Sequence, residues 1–174
     1  MVSPIWVRIC HLVSKFRWKD SSRPLVDWLT KQPSSEELLA RYVTDRNRKS
    51  WLKRLDDDKT VVRPKAFQPD SLNEVSTYRI GGLEHSDCVL LGKTEFADKQ
   101  SKPSPLIGWA QLKAQHVYEL NLILDISEDP IRPMHRRHAG IRGWPPWPSG
   151  SKEGKGEEMM IFDTIAANSN YIPV

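Results

Sequence analysis

Residues 106–126 read LIGWAQLKAQHVYELNLILDI, and this stretch decides the fold class. Residues 106–112 alternate in the manner of a half-buried strand. Residues 120–126 form an apolar run short enough for a buried strand, and Asp129-Pro130 stops it. Between the two, residues 113–119 read as a short helical or turn link. Strands set between helical pieces belong to an α+β architecture.

The same alternation continues outward. Residues 84–97 read as a helix with Ser86 as cap, weakened by Gly92. Residues 75–80 and 60–63 look like strands, with Pro64 placing the second at an edge or ending it. Ala66-Phe67 looks like another extended piece. Further upstream, Ser34 and Glu37 have the spacing of a capping box. That predicts a helix over 35–44 burying Leu38, Leu39, Tyr42 and Val43. It runs on towards Trp51 and Leu55 through Arg46, Arg48, Lys49, Lys53 and Arg54, until the solvated turn Asp56-Asp57-Asp58 breaks it. Helices over 3–19 and 25–30 make residues 1–34 an N-terminal helical extension, ahead of an α+β body over 35–174. Downstream, residues 149–156 are a flexible loop by composition. A final helix runs from 157 to 168, burying Met160, Ile161, Ile165 and Ala166. The expected fold is α+β: a single domain with a short mixed or antiparallel sheet packed with several helices.

A chain of 174 residues fits one domain and buries roughly two-thirds of its unfolded surface. Cys10 and Cys88 make no disulfide framework and are expected to be reduced thiols of a cytoplasmic protein. The apolar neighbours of Cys88 raise a thiol pKa rather than activate it. No apolar run approaches the roughly 20 residues that span a bilayer, so no membrane partner is expected. Pro4, Arg8 and His11 break the basic start, which reads as mature sequence rather than a signal peptide. Net charge is +4, unevenly spread: residues 1–19 carry four cations and no acid, residues 132–155 six cations and one acid. Such asymmetry permits a polyanion partner.

Potential chemistry concentrates in residues 134–148, MHRRHAGIRGWPPWP. His135 and His138 are three apart and would share one face of a helix, but Pro133 and the Gly140–Gly143 spacing argue for extended chain. No metal and no cofactor is expected. An imidazole beside arginines suits acid/base work on phosphoryl or glycosyl groups, which makes His135 and His138 the catalytic candidates. No nucleophile motif accompanies them. Guanidinium forks hold phosphates bidentately and indoles stack on bases. The candidate ligand-binding set is therefore Arg63, Lys65, Arg79, Arg136, Arg137, His138, Arg142, Trp144 and Trp147. A tryptophan-anchored core with an arginine rim has the same composition. The leading functional expectation is a non-catalytic binding or accessory protein for nucleic acid or a phosphate-bearing ligand. One alternative is a small nucleotide- or RNA-directed enzyme using His138 or His135 with arginines. The other is a protein–protein accessory factor, immunity or antitoxin-like, anchored by Trp144 and Trp147.

Three segments co-occur: Arg63-Pro64-Lys65-Ala66-Phe67-Gln68-Pro69, Ser76-Thr77-Tyr78-Arg79 and His138-Ala139-Gly140-Ile141-Arg142-Gly143-Trp144-Pro145. They resemble the R-x-x-A-F-x-P, S-x-Y-R and H-A-x-I-x-G-W-P segments of small uncharacterised bacterial proteins. The resemblance covers about residues 60–170 and implies a bacterial, cytoplasmic protein. No function follows from it, and residues 1–34 and Pro146-Trp147-Pro148 fall outside it.

Overall fold

The computed structural model describes residues 32–56, 58–70, 73–126, 137–144 and 152–174, the last without the side chains of 152–155. The N-terminal helices expected over 3–19 and 25–30 lie outside these residues, as does Cys10. The described elements run β1 (Leu38–Thr44), α1 (Asp45–Trp51), β2 (Leu52–Arg54), β3 (Thr60–Val62) and a 3-10 turn (Pro64–Phe67). Then come β4 (Val75–Arg79), α2 (His85–Gly92) with a π-type continuation (Lys93–Ala97), β5 (Leu106–Lys113) and α3 (Ala114–Tyr118). The last are β6 (Ile123–Ile126), β7 (His138–Arg142), α4 (Lys152–Ala167) and β8 (Asn170–Pro173). No described helix is long and apolar enough to cross a membrane.

Six strands pair in the order β6-β7-β4-β1-β5-β8, and every pairing is antiparallel. The expected α+β class, with several helices on a short sheet, is the observed one. The strand read from residues 106–112 is β5 and α3 is the short link after it, whereas of the run 120–126 only Ile123–Ile126 form a strand, and β6 lies at the sheet edge with Ile123 exposed rather than buried.

The expected helix over 35–44 is instead β1, the strand at the middle of the sheet. The reason is physical. Leu39 and Val43 face one layer while Ala40 and Tyr42 face the other, and all four are buried. A strand buried on both faces loses its two-residue alternation. Leu38, Leu39, Tyr42 and Val43 then imitate a helical stripe. Ser34 caps nothing: its carbonyl accepts the Glu37 N–H in a turn. The helix starts at Asp45, where the Asn47 side chain accepts the Thr44 N–H. It ends at Trp51 rather than running to Leu55.

Two layers close the sheet. On one face Leu39, Val75, Leu112 and Ile141 pack with Phe162 and Ile165 of α4 and Phe67 of the 3-10 turn. Fully burying a side chain of this size contributes roughly 1.5–3 kcal/mol. On the other face Tyr42, Tyr78 and Trp109 meet Cys88 and Leu91 of α2. Gly92 lets α2 approach, since a Cβ there would stand 2.6 Å from the Tyr42 ring. Three smaller expectations are corrected. Ala66-Phe67 is a 3-10 turn rather than extended, because Pro64 fixes its first φ near helical values. Residues 152–156 of the expected loop begin α4. Met160 is exposed, and Phe162 takes the core position beside Ile165 and Ala166.

Candidate functional site

β4 and β7 bring two of the three co-occurring segments side by side. Their register opposes Tyr78 to His138 and Ser76 to Gly140, and β6 adds Asp125 opposite Gly140. Alternation puts Glu74, Ser76, His138, Arg142 and Asp125 on one sheet face. Gly140 leaves room for the Glu74 carboxylate, which a Cβ at that position would displace. The Arg142 guanidinium donates to Glu74 Oε2 from Nε (2.9 Å) and Nη2 (2.6 Å), and Asp125 lies 3.2 Å away. Its hydrogen bond to Glu74 raises the Arg142 pKa.

His138 Nε2 stands 3.0 Å from Ser76 Oγ and 3.4 Å from Glu74 Oε1. The ring sits edge-on to Tyr78, with centroids 5.4 Å apart. A hydrolytic triad needs the hydroxyl and the carboxylate on opposite ring nitrogens, so that one nitrogen accepts while the other donates. Here both crowd Nε2. At that one nitrogen the hydroxyl and the carboxylate are alternatives, which is not the two-sided arrangement of a triad. The cluster ties β4, β7 and β6 together.

Three residues of the expected anion-binding surface lie in the interior. Arg79 is 1% exposed and donates to Glu37 through Nε (2.6 Å) and Nη2 (2.8 Å). Arg137 is buried and donates to the Arg79 carbonyl at 2.9 Å. Burial pushes its pKa down to about 10, an effect opposed by the Glu37 charge. Trp144 is buried against Phe162, and its indole N–H donates to the Ile141 carbonyl at 3.0 Å. These residues are core, corresponding to the compositional alternative of a tryptophan anchor with arginines. Arg142 is at the surface, but its charge is taken up by two acids. His135, Arg136 and Trp147 lie outside the described residues.

Arg63 and Lys65 are exposed as expected. They flank a separate two-stranded ribbon in which β2 pairs antiparallel with β3. Leu52 and Val62 point inward from this ribbon, so Lys53 points out across from Val61. The Arg63 N–H donates to the Trp51 carbonyl at 2.7 Å, extending the ladder by one pair and setting Arg63 on the Lys53 face. The Arg63 guanidinium also folds back to donate to the Leu52 carbonyl at 3.0 Å. Lys65 follows on the 3-10 turn, and Arg46, Arg48 and Lys49 are exposed on α1. Behind them Trp51 is half-buried, with the Arg41 guanidinium 4.5 Å from its ring centroid. Arg41 also donates to the carbonyls of Ala66 (3.2 Å) and Ser76 (2.8 Å), so it fastens α1, the 3-10 turn and β4 together. Burial lowers its pKa to about 10, which leaves it charged at neutral pH.

No protein-family model, no curated protein and no solved structure matches this chain.

The site is therefore built on its own geometry. Residues 46–65 hold eight cations against three acids. Among the described residues none of Arg46, Lys49, Lys53, Arg63 and Lys65 forms an ion pair. The sequence did carry this signal, in five cations within residues 46–54 around Trp51. A helix continued through that run turns the same cations into its ordinary solvated side and hides the cluster.

Proposed function

We propose that this chain is a non-catalytic binding protein for nucleic acid or another phosphate-bearing ligand, and that the ribbon carries the contact. Lys53, Arg63 and Lys65 form its centre, and Arg46 and Lys49 of α1 extend it. One observation supports this reading above the others. These cations are exposed without carboxylate partners among the described residues, whereas Arg79 and Arg142 are held by Glu37, Glu74 and Asp125. A cation already paired with a carboxylate has little to offer a phosphate. Cations clustered without described carboxylate partners gain from any polyanion that relieves their self-repulsion, with release of condensed counterions.

The test is binding of a labelled oligonucleotide followed by anisotropy across a salt series. Each phosphate contact contributes about 0.7–0.9 to the log–log salt slope. The triple variant Lys53→Ala/Arg63→Ala/Lys65→Ala should bind more weakly and lose roughly 2–3 units of slope. Arg142→Ala should bind as the parent does. A triple variant with the parent's affinity and slope, or a parent that binds no polyanion, would overturn the proposal.

A further inference from the structure

We infer that Arg41 is the positioning residue of the basic face, acting on a bound polyanion through the backbone it holds rather than by contact. The inference rests on the binding role proposed above and adds what fixes the cations relative to one another.

The five exposed cations sit on short pieces of chain: Arg46 and Lys49 on α1, Lys53 on β2, and Arg63 and Lys65 at the 3-10 turn. None of these pieces holds its shape alone. A helix of seven residues is too short to be stable by itself in water, and a two-stranded ribbon is marginal at best. Leu52 and Val62 pin the inner side of the ribbon to the core, and the Arg63 N–H reaches the Trp51 carbonyl.

Arg41 ties these pieces to the sheet. It leaves the central strand on the same face as Leu39 and Val43. Its Nε donates to the carbonyl of Ala66, the residue after Lys65, and its Nη1 to the carbonyl of Ser76 on β4. The guanidinium lies against the ring of Trp51, which stands between Lys49 and Lys53 in the chain. Among the described residues no carboxylate forms an ion pair with it. A methionine would fill this space without desolvating a charge. It would have no donors for two carbonyls ten residues apart. A lysine keeps the charge but lacks the planar fork that serves both carbonyls while stacking on a ring. Cations held in one geometry before the ligand arrives spare binding the entropy of ordering them.

The experiment follows the anisotropy of a fluorescent oligothymidine across a salt series, on the full chain, at a temperature where circular dichroism shows the variants native. Arg41→Lys should bind about tenfold more weakly than the parent. Its log–log salt slope should stay within one phosphate contact of the parent's, about 0.7–0.9, because all five exposed cations remain. Arg41→Met should match it in both. Leu91→Ala, at a fully buried site in the opposite layer, loses stability without touching the tie and should bind as the parent does. In the free protein the Arg63 amide should exchange with solvent faster in Arg41→Lys, while the amides of β5 keep the parent's rates; this readout needs neither ligand nor the Met variant. Parental affinity or an unchanged Arg63 exchange rate in Arg41→Lys would overturn the positioning role and leave the basic face standing. So would an equal loss of affinity in Leu91→Ala, which would make stability the cause. A slope lower by a full contact in Arg41→Met alone would likewise overturn it, since Arg41 would then be a phosphate contact itself. A parent without affinity for the oligonucleotide would remove both proposals.

Discussion

Replacing Glu37 with Leu should destabilise the fold by about 3–5 kcal/mol, the cost of breaking a buried ion pair from one side. Glu37 is 7% exposed and Arg79 1%, so neither end has water to fall back on. Two hydrogen bonds, 2.6 and 2.8 Å long, disappear with the carboxylate. The buried Arg137, which feels the Glu37 charge and donates to the Arg79 carbonyl, becomes a second cation without that compensation. Leu fills the space but supplies no acceptor. With urea slopes of about 1–3 kcal/mol per molar, the unfolding midpoint should fall by roughly 2 M. The double variant Glu37→Leu/Arg79→Met removes both charges and should recover most of the loss, because the penalty belongs to a buried guanidinium that has lost its carboxylate. The cycle should return a coupling energy of at least about 2 kcal/mol. A single variant costing under about 1 kcal/mol, or a double variant no better than the single, would refute the reasoning.

Glu158 is buried with Oε1 lacking a hydrogen-bond partner among the described residues, and burial raises its carboxyl pKa. A raised folded value means its contribution is complete below the ordinary carboxylate range and is lost as pH rises through the folded pKa. Glu158→Gln should therefore stabilise the protein at neutral pH by about 1 kcal/mol and change little near pH 4; equal unfolding midpoints at both pH values would count against it. Burial pushes the Cys88 thiol up to about 11, so a disulfide reagent at mild alkaline pH should label it only as fast as the protein opens. Immediate native labelling would contradict its placement under α2. Trp144→Ala should cost about 3–5 kcal/mol through lost packing on Phe162, while Met160→Gln, at an exposed site, should stay within about 0.5 kcal/mol. Thermal melts that rank the two variants the other way would refute the orientation of α4.

What the sequence makes legible depends on how a residue is surrounded. β5 is legible although Trp109 and Leu112 enter opposite layers, because Gly108 and Gln111 interrupt its apolar run, and α3 is legible as the short link that follows it. β1 is not, because layers on both sides erase its alternation, and the Ser34–Glu37 spacing completes the false helix. At the candidate site, composition identified arginine and tryptophan as the material but not which side of the surface they occupy. Arg79 went inside because Glu37, 42 residues away, satisfies its guanidinium there, and Trp144 because the nearby Ile141 carbonyl accepts its indole N–H while Phe162 packs on the ring. Arg63 and Lys65 stayed outside because β3 ends at Val62 and the chain turns along the surface at Pro64. The three co-occurring segments are brought together in space: the S-x-Y-R and H-A-x-I segments are neighbouring strands, and Arg41 bonds the first of them to the R-x-x-A-F segment.

The position of β1 also governs how the molecule can be assembled in time. Of the five pairings in the main sheet, only β6 with β7 joins strands that follow one another along the chain. Leu39 must wait for Arg79 on one side and for Leu112 on the other, and Gly108 waits for Pro173. Such distant closures are paid for in chain entropy before they are rewarded, which places refolding in the slow, millisecond-to-second range of sheet proteins. The ribbon of β2 and β3 is different: its strands are five residues apart and can close in microseconds. On a growing chain the cationic ribbon would thus take shape early, while the free edge of β5 stays open to foreign strands until residues 170–173 have been made.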